Sequence, residues 1–266
     1  MYGKILLFLV LGLTAQPLQA FAMHWMPAPA AHGKGHGGHD RNAAKGFTLV
    51  DGEGATLSMI NPQLNVKPLT ANHGMVAIKP TGMNNYHVLV ATRTDGTLHE
   101  SAIRYIFMHG KPSGESPSLL IKHEKAALEI EPAPLAREHW RYYSGIEARF
   151  ILRFQGKPLA ASVVTLTTGN GTHSSYTTDA EGGVTLLLPE DFADVKSGRM
   201  NNKPAEFLLA AKHGDNGQTY VTTFASGYYV NPDAWQSTSL GLYTMVGAML
   251  LAGVITFGTR RRKEKS

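Results

Sequence analysis

The chain has 266 residues, 12 histidines, no cysteine and a formal net charge of +5. Part of that charge is the terminal run "RRRKEKS", so the excess does not point to nucleic acid. The lack of cysteine excludes disulfides and thiolate metal sites, which leaves His, Met, carboxylate and backbone nitrogen as the available metal ligands.

Residues 1–22 read as a Sec-type signal peptide. Lys4 is a short basic n-region, Ile5 to Leu13 an apolar core, and Ala20-Phe21-Ala22 a small-residue exit predicting cleavage after Ala22. Cleavage after Ala20 and an uncleaved anchor are the alternatives, although the apolar run is short for a membrane span. Residues 23–46 follow as a flexible His/Gly-rich arm, opening "MHWMPAPAAHGKGHGGHD", with His24, His32, His36 and His39 spaced by Gly, Ala, Pro and Lys.

From residue 47 the chain alternates apolar and polar residues with a period of two. Over 47–131 the runs "ATLSMIN", "MVAIKP", "YHVLVATRT", "AIRYIFMHG", "SLLIKHE" and "ALEIEPA" predict strands, and "GKPSGESP" a loop. A seam is expected near 131–145, with strand pairing between the two halves left open. Over 132–231, "EARFILRFQ", "ASVVTLTT", "SSYTT", "VTLLLP", "EFLLAAKH" and "TYVTTFA" predict six or seven short strands, with a hairpin at "GNG". "PEDFADV" (189–195) reads as a helical turn with acidic first-turn residues. The expected fold class is mainly β: one or two β-sandwich domains, Ig-like or transthyretin-like, plus a single C-terminal transmembrane helix.

That helix is expected over 237–259, a stretch without a charged residue and long enough for a ~30 Å hydrocarbon core at ~1.5 Å per residue. The basic tail 260–266 on one flank, with Asp233 and Trp235 on the other, makes the tail cytoplasmic by the positive-inside rule. The expected location is therefore the inner (cytoplasmic) membrane, single-pass, with the bulk of the chain periplasmic or extracytoplasmic.

The run "LEIEPAPL…YYSGIEARFILRFQGKPLAASVVTLTT…TDAEGGVTLLLP" resembles the NikK-like periplasmic proteins associated with nickel and cobalt uptake beside energy-coupling-factor transporters. The resemblance is best over 128–231 and weaker over 47–127. It implies divalent-metal handling next to a metal-uptake ABC/ECF transporter. The "GKPLA…TDAEG" turns also resemble extracellular Ig-like and carboxypeptidase-regulatory-like modules, which are often structural.

Imidazole suits Ni2+ and Co2+, with Cu2+ or Zn2+ as alternatives. His32, His36 and His39 in "HGKGHGGH" have glycines that let three rings converge on one ion, at the cost of ordering the backbone. If Met23 becomes the terminus, its amine, the His24 amide nitrogen and the His24 ring form fused chelate rings suited to square-planar Ni(II) or Cu(II). The competing readings of the arm are a solvated linker or a pH-responsive charge. His73, His99, His109, His123, His139, His173 and His213 are expected as scattered surface histidines, His87 at a solvent-facing edge, and Glu129 with Glu131 on a solvated strand face. No catalytic motif emerges, so no enzyme is expected. The expected function is capture or presentation of a divalent metal, Ni2+ or Co2+ favoured, to an uptake transporter. The alternative is an Ig-like envelope interaction or structural module with incidental histidines.

Overall fold

A computed structural model describes residues 22–28, 44–135 and 141–236, with single positions between 243 and 252. In chain order its strands begin with β1 (His24–Pro27), β2 (Lys45–Val50), β3 (Thr56–Ile60), β4 (Val66–Pro68) and β5 (Met75–Ile78). Next come β6 (Met83–Asp95), β7 (Leu98–Met108), β8 (Lys111–Pro112), β9 (Leu128–Pro132), β10 (Tyr142–Tyr143) and β11 (Glu147–Phe154). The last are β12 (Lys157–Pro158), β13 (Val163–Thr168), β14 (His173–Thr177), β15 (Gly183–Leu187), β16 (Ala205–Asp215) and β17 (Gln218–Tyr229). Two short helices, α1 (Pro117–Lys122) and α2 (Pro232–Trp235), and a 3-10 turn, Arg199–Asn201, accompany the strands. The protein is mainly β.

The principal sheet runs β14-β13-β16-β17-β7-β6-β3-β4 and joins both halves of the sequence. The junction is parallel: Thr219 to Phe224 of β17 pair with Leu98 to Ile103 of β7. Ser101 Oγ donates to Thr222 Oγ1 across it at 2.9 Å, fully buried. Strand alternation then splits the core in two. On one face Val88, Val90, Ile103 and Tyr105 pack with Phe150, Leu152, Val184 and Leu186 of the smaller sheet β12-β11-β15, to which β9 adds through β11. On the other face Leu89, Ala91, Ala102 and Ile106 pack with Met23, Trp25, Phe47, Val76 and Ile78 of the sheet β1-β2-β5. β6 and β7 are therefore buried on both sides, which explains the near-continuous burial of "VLVA" (88–91) and "SAIRYI" (101–106).

Double coverage corrects several expectations. His87 is not at a solvent edge. It is fully buried, with Nε2 2.7 Å from Thr81 Oγ1 and Nδ1 3.2 Å from the Asn85 carbonyl. Burial, with a smaller contribution from the Lys45 charge, holds its pKa below the ordinary imidazole value against the opposing Asn85 hydrogen bond. Glu129 and Glu131 are buried too, because β9 is enclosed along its whole length. "SLLIKHE" is not a strand. Ser116 caps α1 by accepting from the Ser118 amide, Pro117 takes a first-turn position where no N–H is needed, and among its residues only Leu120 is buried. "PEDFADV" forms no helical turn, since the Asp191 carboxylate is drawn into hydrogen bonds with the β13–β14 hairpin.

The ends of the expected arm are also strand. Met23 and Trp25 are core residues, Trp25 Nε1 donates to the Ala102 carbonyl at 3.1 Å, and Thr223 Oγ1 donates to the Met23 carbonyl at 2.6 Å. β1 pairs antiparallel with β2, and the Ala28 amide donates to the Gly46 carbonyl at 3.0 Å. Residues 29–43, which carry His32, His36 and His39, lie outside the described residues and join two paired strands. Residues 1–21 of the expected signal peptide 1–22 and the tail 260–266 lie outside as well. No helix among the described residues is long and apolar enough to cross a membrane, and most of the expected span 237–259 falls outside them. Its described positions Tyr243, Met245, Val246, Ala248, Met249, Leu250 and Ala252 are all helical and all exposed.

Candidate functional site

The parallel pairing of β7 with β17 stops at Ile103 and Phe224. Further along, the same edge of β17 is taken by β10, which pairs in parallel at Tyr142–Tyr228 and Tyr143–Tyr229. A cleft of about 550 Å³ opens in the split between the strands. The sequence dictates its lining. Arg104 stands alone in the apolar run of β7, and its guanidinium crosses the split to Glu206 of β16 at 2.5 and 3.1 Å, a bidentate pair. The same guanidinium lies 5.4 Å from the Phe47 ring centroid. Arg141, just before β10, lies 4.4 Å over the Tyr229 ring. Lys45 is exposed along its stem, but its ammonium donates to the Phe107 carbonyl at 2.6 Å, and burial lowers its pKa. Tyr86 packs edge-on to Phe107 at 5.3 Å, and His109 packs edge-on to the same ring at 5.4 Å.

Among the described residues, three cations thus line an aromatic cleft whose one lining carboxylate, Glu206, is already engaged by Arg104. Such a surface offers donors and flat rings to an acidic or aromatic segment. Tyr105, on the cleft floor, has a buried hydroxyl whose pKa is well above normal, through burial and then the charges of Glu129 and Glu131.

A second polar cluster lies at the end of the sheets where β17 finishes. The Asp191 carboxylate accepts from Thr168 Oγ1 (2.6 Å), Thr172 Oγ1 (2.8 Å), Asn170 Nδ2 (3.2 Å) and the Tyr228 hydroxyl (2.5 Å). Burial works to raise its pKa, but these donors outweigh it and hold the carboxyl below its usual value. The "NGT" sequence at 170–172 therefore serves turn closure, with Asn170 Nδ2 committed to Asp191 and the Tyr228 hydroxyl.

Of the expected metal ligands, Met23 is buried and His24 is half-exposed on β1, while His32, His36 and His39 are not described. His24 Nδ1 lies 2.8 Å from the Ala22 carbonyl oxygen. Among the described residues no group of three His, Asp or Glu side chains converges on a point that could hold a metal. The body histidines take part in packing instead. His99 stacks on Tyr220 at 4.8 Å and lies 3.0 Å from the Gln218 side chain, and His213 sits 4.6 Å from the Phe154 ring. The cleft residues were not anticipated. One available signal was the isolated arginine within "AIRYIFM"; the other was the cation-aromatic run "RYY" at the seam.

No protein-family model matches the chain, and no curated protein matches it. The NikK-like resemblance accordingly rests on the quoted motifs alone. Among solved structures the chain is similar to the D0–D1 domain of intimin at 16% identity, covering 72% of this chain and 91% of that one, with a TM-score of 0.26. It is similar to a Ca2+-stabilized adhesin by which an Antarctic bacterium binds ice at 15% identity, covering 72% and 45%, TM-score 0.27. A two-domain fibronectin type III segment of chicken tenascin matches at 9% identity, covering 70% and 93%, TM-score 0.23. Superpositions this partial carry no argument about what the chain does.

Proposed function

We propose that the chain is a membrane-anchored extracytoplasmic β-sandwich module that binds an extended, acidic segment of another envelope protein. The observation that carries the reading is the cleft in the split between β7 and β17, lined by Arg104, Arg141, Lys45 and the rings of Phe47, Tyr86, Phe107 and Tyr229. Anchoring is supported by the uncharged stretch 237–259 and by its helical positions, which leave Tyr243, Met249 and Leu250 at least 63% exposed. The test is a photo-crosslinking residue at His109 in the full chain in its native membrane, with the same residue at Thr97 as a control. One discrete adduct from position 109, lost in Arg141→Glu, is the expected result. Identical patterns from both positions would discard the cleft as the binding surface.

Metal presentation stands as a second reading, favoured by one observation. The His24 ring nitrogen lies close to the Ala22 carbonyl oxygen, whose carbon is bonded to the Met23 nitrogen. Cleavage at that bond would leave the imidazole beside the new amine, the arrangement a terminal chelate needs. Because β1 is part of the core, deleting residues 24–39 would damage the fold, so point variants are the proper test. The mature chain, its terminus read by intact mass, would be titrated with Ni2+, Co2+, Cu2+ and Zn2+ beside His24→Gln and a His32→Gln/His36→Gln/His39→Gln variant. Loss of tight binding in either variant supports metal handling. Unchanged titrations reject it.

A further inference from the structure

The end of the molecule where β17 finishes carries a depression built from distant parts of the chain: Arg141, Tyr143, Arg199, Asn202, Tyr229, Val230 and Trp235. Among the described residues it holds two guanidiniums and three aromatic rings and no carboxylate; Glu190 and Asp194, in the segment after β15, and Asp233, on α2, lie outside that lining. Tyr143 and Tyr229 face one another at 6.4 Å, and Arg141 lies over the Tyr229 ring. Arg199 opens the 3-10 turn Arg199–Asn201, and Met200 on that turn is 80% exposed, an extreme for a large apolar side chain in the body. Ile146 and Leu187, exposed at 40% and 54%, lie at the same end, where the Leu188 amide donates to the Ile146 carbonyl.

The short helix that carries Trp235 is capped at both ends. Asn231 caps α2 by accepting from the Asp233 amide at 3.0 Å, the Asn231 amide donates to Ser144 Oγ, and the Gln236 amide donates back to the Pro232 carbonyl at 2.8 Å. An anchor beginning at Ser237 leaves only Gln236 between Trp235 and the bilayer, a reach of about 7 Å for two extended residues. The body then has no stalk, and the face around Trp235 must meet the headgroups. Tryptophan and tyrosine favour that interfacial layer, arginine pairs with phosphate, and an exposed methionine reaches the acyl boundary.

We propose that this end docks on the bilayer, with Arg199 binding a phospholipid headgroup phosphate and Met200, Tyr143 and Trp235 seated in the interface. Docking of this face fixes the orientation of the body and turns the β6–β7 and β16–β17 hairpins away from the membrane. The inference rests on the membrane-anchor reading. The chain has no cysteine, so Met200→Cys and, at the far hairpin, Thr97→Cys give unique labelling sites. Each full-length variant would be reconstituted in phosphatidylethanolamine/phosphatidylglycerol vesicles, floated, and labelled with a polarity-sensitive fluorophore read against lipids carrying shallow doxyl quenchers. Expected are a blue-shifted, quenched label at position 200 and a water-like, unquenched one at 97. Adding Arg199→Gln should lower the docked-to-free ratio roughly fivefold. A water-like label at position 200 on protein that floats with the vesicles would overturn docking and leave the anchor intact. Protein that does not float overturns both.

Discussion

Glu129 shows what a single buried charge does in this core. Its side chain is 1% exposed and lies 2.9 Å from Lys125 Nζ, itself 0% exposed. The ammonium also donates to the carbonyls of Leu120, Ile121 and His123, so Lys125 satisfies the C-terminal end of α1 and ties it to β9. Burial nevertheless outweighs the ion pair and pushes Glu129 up to about 7. The Oε2 atom lacks a well-formed hydrogen bond despite its closeness to Lys125, and this fits the raised value. The sign of the linkage follows. An acid whose folded pKa is raised binds more protons folded than unfolded between the two values. Its contribution is therefore fully present below the unfolded pKa of about 4.3 and is lost as pH rises through about 7. Glu129→Gln should remove this fall, gaining on the order of 2 kcal/mol relative to the parent between about pH 5 and 8. Urea midpoints across that range check it, and parallel pH curves for the two proteins would refute it. Arg104→Met should cost roughly 1–2 kcal/mol in the same assay, since it breaks a bidentate pair that is partly open to solvent.

The first element after the expected cleavage site closes the second core. Trp25 is fully buried under the β7–β17 junction, and its indole N–H satisfies the Ala102 carbonyl. Trp25→Ala should cost about 3–5 kcal/mol through the cavity and the orphaned carbonyl, a Tm loss of many degrees measurable by circular dichroism. A change within a degree or two would mean that β1 does not pack as described. β1 was hidden in the sequence because "HWMP" is too short for a period-two pattern and adjoins a His/Gly-rich segment. Strands with one wet face, such as β11 and β13, were legible because their alternation reports directly on burial. The enclosed strands β6, β7 and β9 are legible as strands, but the pattern puts His87 of β6 and Glu129 of β9 on the wrong faces. Alternation cannot reveal that a second sheet covers the outer face. α1 was missed because its signal was the Ser116–Pro117 cap rather than any periodicity.

The joining of the two halves had no local signal at all, because the β7–β17 pairing brings together residues about 120 positions apart. The cleft was equally illegible, since it exists only where that long-range pairing ends. The topology has a thermodynamic consequence. The hydrogen-bonded path from β14 to β4 passes through β17 and β7, β9 adds to the smaller sheet through β11, and β1 packs on β7, with the Met23 carbonyl just before it accepting from Thr223 Oγ1. Neither half can open without stripping a buried strand edge from the other, and unpaired backbone in a core is costly. The described body should therefore unfold as one cooperative unit, with the calorimetric enthalpy equal to the van't Hoff value. Refolding should be slow for its size, because parallel pairing at long sequence separation must close before it is rewarded. Scanning calorimetry of the detergent-solubilised chain decides the matter. Two resolved transitions, the first abolishing only the near-ultraviolet signal of Trp25, would show that the N-terminal strands melt apart from the rest and that the central junction is weaker than its buried hydrogen bonds imply.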